Sequence, residues 1–119
     1  MEITFQSEGV DHPKIDEAKI VNWIENIAKQ YNKGIGEISY LFCDDEKILE
    51  VNQQYLNHDF YTDIITFDYS EENMISGDII ISLQTVESNS QMYNTSFIEE
   101  LHRVIIHGIL HLSGLNDST

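Results

Sequence analysis

The chain has 119 residues, of which 41% are hydrophobic, and its 21 acidic residues outnumber 6 basic ones. This length and composition fit one globular domain over residues 1–119, without an apolar stretch long enough to span a membrane. The formal net charge of −15 argues against a broad nucleic-acid-binding face but permits a small cleft in which a metal ion is the largest charge. The single cysteine, Cys43, cannot form an internal disulfide, so we expect a reducing compartment.

Hydrophobic periodicity predicts alternating strands and helices. The predicted elements are a strand over 1–6, a helix from Ile15 to Ala28, a strand over Glu37–Cys43, a helix over Glu46–Tyr55, a loop over Asn57–Tyr61, strands over Asp63–Tyr69 and Ile75–Leu83, a helix over Thr85–Tyr93 and a final helix capped by Ser96 and Glu99. Asp11 is the candidate cap of the first helix, and Asp44-Asp45 is the candidate cap of the second. The βαβαββαα order predicts an α+β fold, in which helices pack on a small mixed four-stranded sheet around a central, buried final helix.

The final helix carries two histidines four residues apart, His107 and His111, and Gly114 and Asp117 follow them. Four residues of an α-helix turn through about 400°, so both imidazoles lie on one face and can bind one zinc ion. Gly114 can adopt the positive φ that ends a helix, after which the chain can bring Asp117 towards the same ion. The pattern predicts three metal ligands, His107, His111 and Asp117, with a fourth position open for water. The alternative is a structural role for both histidines.

Three neighbouring residues are candidates for other roles. Arg103 either forms an i, i+4 ion pair with Glu99 or reaches the cleft and binds an anion. His102 lies about 140° around the helix from His107, which predicts a surface or supporting position. Gly108 stands where zinc proteases of the His-Glu-x-x-His type carry their general base. Because glycine cannot move a proton, cleavage of a phosphodiester by metal-activated water fits better than peptide hydrolysis.

Three segments resemble motifs of the YbeY family, the metal-dependent endoribonucleases of rRNA maturation. Residues 100–114 are similar to the start of the family pattern His-Gly-x-Leu-His-Leu-x-Gly-Tyr-Asp-His, and residues 52–67 to Asn-x-x-Tyr-Arg-x-x-Asp-x-x-Thr-Asp-Val-Leu-Ser-Phe. Gly77-Asp78-Ile79 is the third match. The resemblance implies a zincin-like fold, one Zn²⁺ per chain, single-stranded RNA as substrate, the ribosome or ribosomal proteins as partners, and a cytoplasmic location. We further expect a monomer.

The chain departs from the family pattern at three points. The third histidine of the pattern falls on Asp117, which remains a legitimate zinc ligand but adds a negative charge. The arginine, to which the resemblance assigns a catalytic role, falls on Leu56, so His58 or Arg103 would have to supply positive charge. Family members continue with another helix after the motif, which a domain ending at Thr119 is expected to lack.

These departures leave more than one function open. The first is a zinc-dependent endoribonuclease. The second is a non-catalytic, ribosome-associated binding protein whose metal is structural, and Leu56 favours it. The third is a metallopeptidase, against which Gly108 argues.

Overall fold

The computed structural model describes residues 2–56 and 62–114 and shows the predicted βαβαββαα order. The elements are β1 (Glu2–Ser7), α1 (Glu17–Gln30), β2 (Gly34–Cys43), α2 (Asp45–Leu56), β3 (Ile64–Asp68), β4 (Met74–Ser82), α3 (Leu83–Met92) and α4 (Phe97–Leu112). The loop predicted over Asn57–Tyr61 lies wholly outside the described residues, in the gap at 57–61.

The strands form one mixed four-stranded sheet in the order β1-β2-β4-β3. β2 pairs in parallel with β1 and β4, and β3 pairs antiparallel with β4 at the edge. Successive strand residues face opposite sides of a sheet, so the run Ile79-Ile80-Ile81 in β4 contributes to both faces. All three isoleucines are buried, which confirms the prediction that this strand is covered on both sides.

Helices cover both faces of the sheet. The larger core joins α1, α3 and α4 to one face through Ile20, Ile24, Val86, Leu101, Ile105 and Ile109, among others. A smaller core places Ile48 and Val51 of α2 against Cys43, Ile65 and Ile80 on the other face. The predicted α+β architecture with a central, buried final helix is therefore confirmed. Within the described ranges, no helix is both long and apolar enough to cross a membrane.

The structure confirms two of the three predicted helix caps. Ser96 and Glu99 form the predicted capping box of α4, and the Asp44 carboxylate accepts a hydrogen bond from the Lys47 amide at the start of α2. The prediction for α1 was wrong, because Asp16 rather than Asp11 is its N-cap and accepts from the amide of Lys19. Asp16 directly precedes the helix in an extended conformation, where a short carboxylate reaches the free amides of the first turn.

Candidate functional site

Helix α4 holds the two candidate histidines on the side away from the core. Its buried residues are Glu100, Leu101, Val104, Ile105, Gly108, Ile109 and Leu112, whereas His107 is half-buried and His111 is exposed. The buried Tyr40 hydroxyl donates a hydrogen bond of 2.9 Å to the Ile105 carbonyl and ties the middle of the helix to β2. The imidazoles are therefore accessible to solvent on a helix whose opposite face is packed in the core and hydrogen-bonded to β2.

Gly108 allows α4 to lie close to the sheet. A Cβ atom added there would stand 3.1 Å from methyl groups of Ile64 and Ile79, closer than ordinary van der Waals contact. The glycine thus serves close packing of α4 on the sheet, at a cost in helix propensity of about 1 kcal/mol relative to alanine. Position 108 is buried against β3 and β4, beside the candidate histidines in sequence but not on their exposed side.

A hollow of about 270 Å³ lies between the C-terminal ends of α2 and α4 along the edge strand β3. Its lining residues are Asn52, Leu56, Thr62, Ile64, Ile65, Thr66 and His111. Leu56, the residue at the position of the family arginine, therefore shares one hollow with a candidate metal ligand. Asn52 is buried, whereas Leu56 is 39% exposed, so a longer side chain at position 56 would have room to extend.

His107 lines a second hollow on α4, of about 520 Å³, together with Glu99, His102, Arg103, Ile106 and Leu110. The two histidines are one helical turn apart, as predicted, and both side chains are accessible. Two accessible imidazoles at this spacing are a donor set that suits zinc. The described residues contain no group of three metal-binding side chains. Asp117 and His58 both lie outside the described residues, so a third ligand at Asp117 and a catalytic His58 remain predictions.

Arg103 is engaged by carboxylates other than the predicted one. Its guanidinium donates two hydrogen bonds to Glu100, from Nε at 3.0 Å and from Nη2 at 2.6 Å, and lies 3.9 Å from the Asp63 carboxylate. The predicted Glu99–Arg103 pair was wrong, because Glu99 turns back to accept the Ser96 amide in the capping box. The bond to Glu100 raises the pKa of Arg103 further above its ordinary range, so the guanidinium stays charged. Much of the positive charge of Arg103 is therefore already compensated by the carboxylates of Glu100 and Asp63.

His102 occupies the supporting position that its helical angle predicted. Its ring packs edge-on against Trp23 of α1, with ring centroids 5.0 Å apart, and the Lys19 ammonium lies over the same indole. Burial, and secondly the charge of Lys19, lowers the pKa of His102, which favours the neutral imidazole. His102 therefore contributes to packing between α1 and α4.

The C-terminal end of α4 is held by two side chains that sequence reasoning missed. The Ser70 hydroxyl lies 3.2 Å from the Leu112 carbonyl, and the Lys33 ammonium donates to the Ser113 carbonyl at 3.1 Å. Gly114 follows with a φ of +80°, the positive value predicted for a residue that ends the helix. Neither Ser70 nor Lys33 belongs to a motif, and Lys33 is 80 positions from its partner, so the sequence carries no local signal for this contact.

The fold and this arrangement define a class of protein, an α+β protein in which a central helix presents a histidine pair beside an open hollow at the sheet edge. The family model described as Endoribonuclease YbeY matches residues 3–119. The chain belongs to the endoribonuclease YbeY family, as the sequence motifs predicted. Its enzyme class is accordingly that of the nucleases, which are hydrolases.

Similar proteins agree with this assignment. The chain is 62% identical over 117 residues to an endoribonuclease YbeY of Bacteroides fragilis, a match that covers 98% of this chain and 84% of the relative. It is 54% identical to an endoribonuclease YbeY of Porphyromonas gingivalis, covering 98% of this chain and 78% of the relative. The solution structure of a Thermotoga maritima protein has a TM-score of 0.64 and 32% identity, covering 95% of this chain and 73% of that one.

Proposed function

We propose that the protein is a zinc-dependent endoribonuclease that cleaves single-stranded RNA at the hollow beside His111, in the maturation of ribosomal RNA. The observation that carries the proposal is that His111 and position 56 line the same hollow. Two positions that the family motifs single out, more than 50 residues apart in the sequence, thus meet at one open site of a chain that belongs to this family. The cytoplasmic location, the ribosomal partners and the monomeric state are part of the same proposal.

His107, His111 and Asp117 would hold the zinc ion. A zinc ion bound there supplies a water of lowered pKa and positive charge close to the scissile phosphate. The chain itself supplies the shape of the site. The hollow is open, and its lining residues besides His111 are uncharged and include Thr62 and Thr66, whose hydroxyls can form hydrogen bonds with a nucleotide.

The first experiment measures metal content and RNA cleavage together. The purified protein should contain about one equivalent of zinc and should cleave an unstructured RNA in a reaction that a chelator stops. His107→Ala and His111→Ala should each lose most of the metal and the cleavage, because a site with few ligands does not survive the loss of one. Unchanged metal content in both variants would contradict the proposed site. Cleavage that resists the chelator would indicate a contaminating nuclease.

The second experiment tests the third ligand. Asp117→Ala should weaken zinc binding, whereas Asp117→His should retain it. Because histidine removes one negative charge from the metal, the water should become more acidic and the activity profile should move to lower pH. If Asp117→Ala binds zinc as tightly as the parent, Asp117 is not a ligand.

The third experiment restores positive charge at position 56. Arginine holds phosphate oxygens through its bidentate fork, so Leu56→Arg should increase a weak parental cleavage activity. The matched control is Tyr55→Arg, which adds the same charge one residue earlier. Tyr55 is 62% exposed and lines a different hollow, with Leu41, Phe67 and Tyr69, so its replacement should not increase cleavage. Equal gains from both variants would indicate a general charge effect and not a phosphate site at position 56.

One observation favours the second candidate function, a non-catalytic ribosome-associated binding protein. The described hollow has an apolar Leu56 where the family pattern has arginine, and the nearby Arg103 is bound to Glu100 and Asp63. If neither the parent nor Leu56→Arg cleaves RNA while both are folded and hold zinc, that function is the better explanation. A metallopeptidase function is not favoured, because this chain has Gly108 at the position where such enzymes carry the general base.

A further inference from the structure

Strand β3 is the edge of the sheet that borders the hollow beside His111. In the sheet order β1-β2-β4-β3 it pairs with β4, and within the described ranges no strand lies along its other side. An edge strand presents unpaired backbone N–H and C=O groups to its surroundings. Three residues of this strand, Ile64, Ile65 and Thr66, line the hollow together with His111. The outward backbone groups of β3 therefore lie beside the proposed cleavage site.

The hydrogen bonds between β3 and β4 show which residues of β3 turn their backbone outwards. The Tyr69 amide donates to the Ser76 carbonyl at 2.9 Å, and the Ser82 amide donates to the Asp63 carbonyl at 3.0 Å. In an antiparallel pair, residues that bond to the partner strand alternate with residues whose backbone groups point away from it. Asp63, Tyr69 and the odd-numbered residues between them therefore bond to β4, whereas the backbone groups of the even-numbered residues, Thr66 among them, point to the open edge.

Thr66 has both of its outward backbone groups available for a ligand. The Ile64 carbonyl, which points to the same edge, accepts a hydrogen bond from the Thr62 hydroxyl at 3.3 Å. Among the described residues, the Thr66 amide and carbonyl have no such partner, and Thr66 is half-buried in the lining of the hollow. The N–H and C=O of one residue in an extended strand face the same way. Thr66 therefore offers a hydrogen-bond donor directly beside an acceptor.

A donor beside an acceptor matches the Watson–Crick edge of a nucleobase. Each RNA base carries an acceptor next to a donor at that edge, such as O4 and N3–H of uracil, and proteins read this edge in unpaired bases. The rest of the lining suits a base better than a phosphate, because besides His111 it is uncharged and Leu56 and Ile64 supply apolar surface for the faces of the ring. Pockets for drug-sized ligands typically measure about 300–1,000 Å³, so a hollow of about 270 Å³ suits a single base and not a length of strand.

We propose that the hollow binds one unpaired nucleobase of the substrate RNA, whose Watson–Crick edge forms hydrogen bonds with the backbone amide and carbonyl of Thr66. The inference rests on the proposed endoribonuclease function and names the contact that restricts it to single strands. In a duplex the same edge is occupied by the partner base and cannot reach Thr66. Because His111 lines the same hollow, a base bound there brings its nucleotide close to the proposed metal.

The first test blocks the base edge in the RNA and leaves the protein unchanged. The probes are fluorescent dodecamers of uridine, of N3-methyluridine and of 5-methyluridine, and their affinity for the zinc-loaded protein is measured by anisotropy before cleavage proceeds. The N3-methyl group removes the donor of the Watson–Crick edge and obstructs the neighbouring acceptor, whereas the 5-methyl group lies on another edge of the ring. N3-methylation should weaken binding about tenfold, because both hydrogen bonds are lost, and 5-methylation should change it less than about twofold.

Proline at position 66 removes the donor from the protein. Edge strands accept proline where the N–H faces away from the sheet, so the fold should persist. Thr66→Pro should weaken binding of the uridine dodecamer about fivefold and distinguish it from the N3-methyl form much less than the parent does. Thr66→Val keeps the amide, so it should keep that discrimination in full. The matched control is Asp68→Pro, because the amide of Asp68 also points to the open edge but Asp68 does not line the hollow. It should discriminate as the parent does.

The outcomes separate this inference from the proposed function. Equal affinity of the parent for the uridine and N3-methyluridine dodecamers would overturn the inference, even if the parent cleaves RNA, and so would full discrimination by Thr66→Pro. The same loss of discrimination in Asp68→Pro would also contradict it. A parent that distinguishes the two RNAs but cleaves neither would support the base site and contradict the nuclease function. A parent that binds no RNA would contradict both.

Discussion

Replacement of Gly77 by alanine should destabilise the protein because two neighbours leave no room for a methyl group. Gly77 lies in β4 opposite Asp68 of β3. A Cβ atom added there would overlap the Phe67 carbonyl oxygen and stand 2.9 Å from a methyl group of Leu112, the last residue of α4. The carbonyl belongs to the paired backbone of the sheet, so relief requires β3 or the end of α4 to move.

The magnitude follows from two opposing effects. Extra methyl groups in well-packed sites cost about 1–3 kcal/mol, and a fixed backbone oxygen places this site near the upper end. Alanine in a strand recovers about 0.5–1 kcal/mol of the backbone entropy that glycine loses on folding. The net loss should be about 2 kcal/mol, which for a domain of this size corresponds to a fall in Tm of about 8 °C. Urea unfolding and calorimetry both measure it.

Gly34→Ala is the matched control for Gly77→Ala. An added Cβ atom in neighbouring β2 would stand 2.7 Å from the Met74 sulfur, which is the flexible end of a side chain that is 43% exposed. That side chain can rotate away, so Gly34→Ala should cost far less. If the two variants are equally stable, the close approach of β4, β3 and α4 at Gly77 does not cause the predicted loss in the free energy of unfolding.

Three further predictions concern Gly108 on the buried face of α4, the buried thiol of Cys43, and the ion pair between Arg103 and Glu100. Gly108→Ala should lower the free energy of unfolding by about 1 kcal/mol, because the added methyl group would press on buried Ile79. This cost should outweigh the higher helix propensity of alanine. Urea unfolding measures the difference, and a gain in stability would contradict the prediction. Burial, followed by the charge of a neighbouring aspartate, raises the pKa of Cys43 from 9.0 to about 12. The unfolded chain therefore releases the thiol proton first, so the free energy of unfolding should fall as pH rises from about 9 to 12, and Cys43→Ala should flatten that decline. Arg103→Met should cost about 2 kcal/mol, because it leaves the buried Glu100 carboxylate without its bidentate partner, and Glu100→Gln in the same chain should recover part of the loss; additive losses would argue against coupling.

Most of the fold could be predicted because its signals are local. Alternation marked the strands, helical spacing marked α1 and α4, and the capping box at Ser96 fixed where α4 begins. The α1 cap was assigned to the wrong aspartate because residues 9–16 contain both Asp11 and Asp16, and a short carboxylate before a helical stripe suits either position. Only the structure shows that the helix begins at Glu17, directly after Asp16.

The candidate site was predictable only where its residues share one helix. His107 and His111 follow from the i, i+4 spacing, whereas the meeting of His111 with Leu56 depends on how α2 and α4 end beside β3. The partner of Arg103 was misassigned because Glu99 and Glu100 are both within reach of it, and the capping box decides between them. Lys33 and Ser70 could not be found, because hydrogen bonds from side chains to distant carbonyls leave no sequence pattern.

The charge distribution predicts that the proposed metal contributes to RNA binding as well as to catalysis. RNA approaching this chain meets a net charge of −15, an apolar Leu56 in the hollow, and an Arg103 that is already paired with Glu100. Protein contacts with phosphate usually come from lysine and arginine, and each contact releases counterions and steepens the dependence of affinity on salt. If a bound divalent ion supplies the positive charge instead, removal of the metal must weaken RNA binding as well as cleavage. The affinity of the metal-loaded protein should then depend only weakly on salt, and Leu56→Arg should make that dependence steeper by about one phosphate contact.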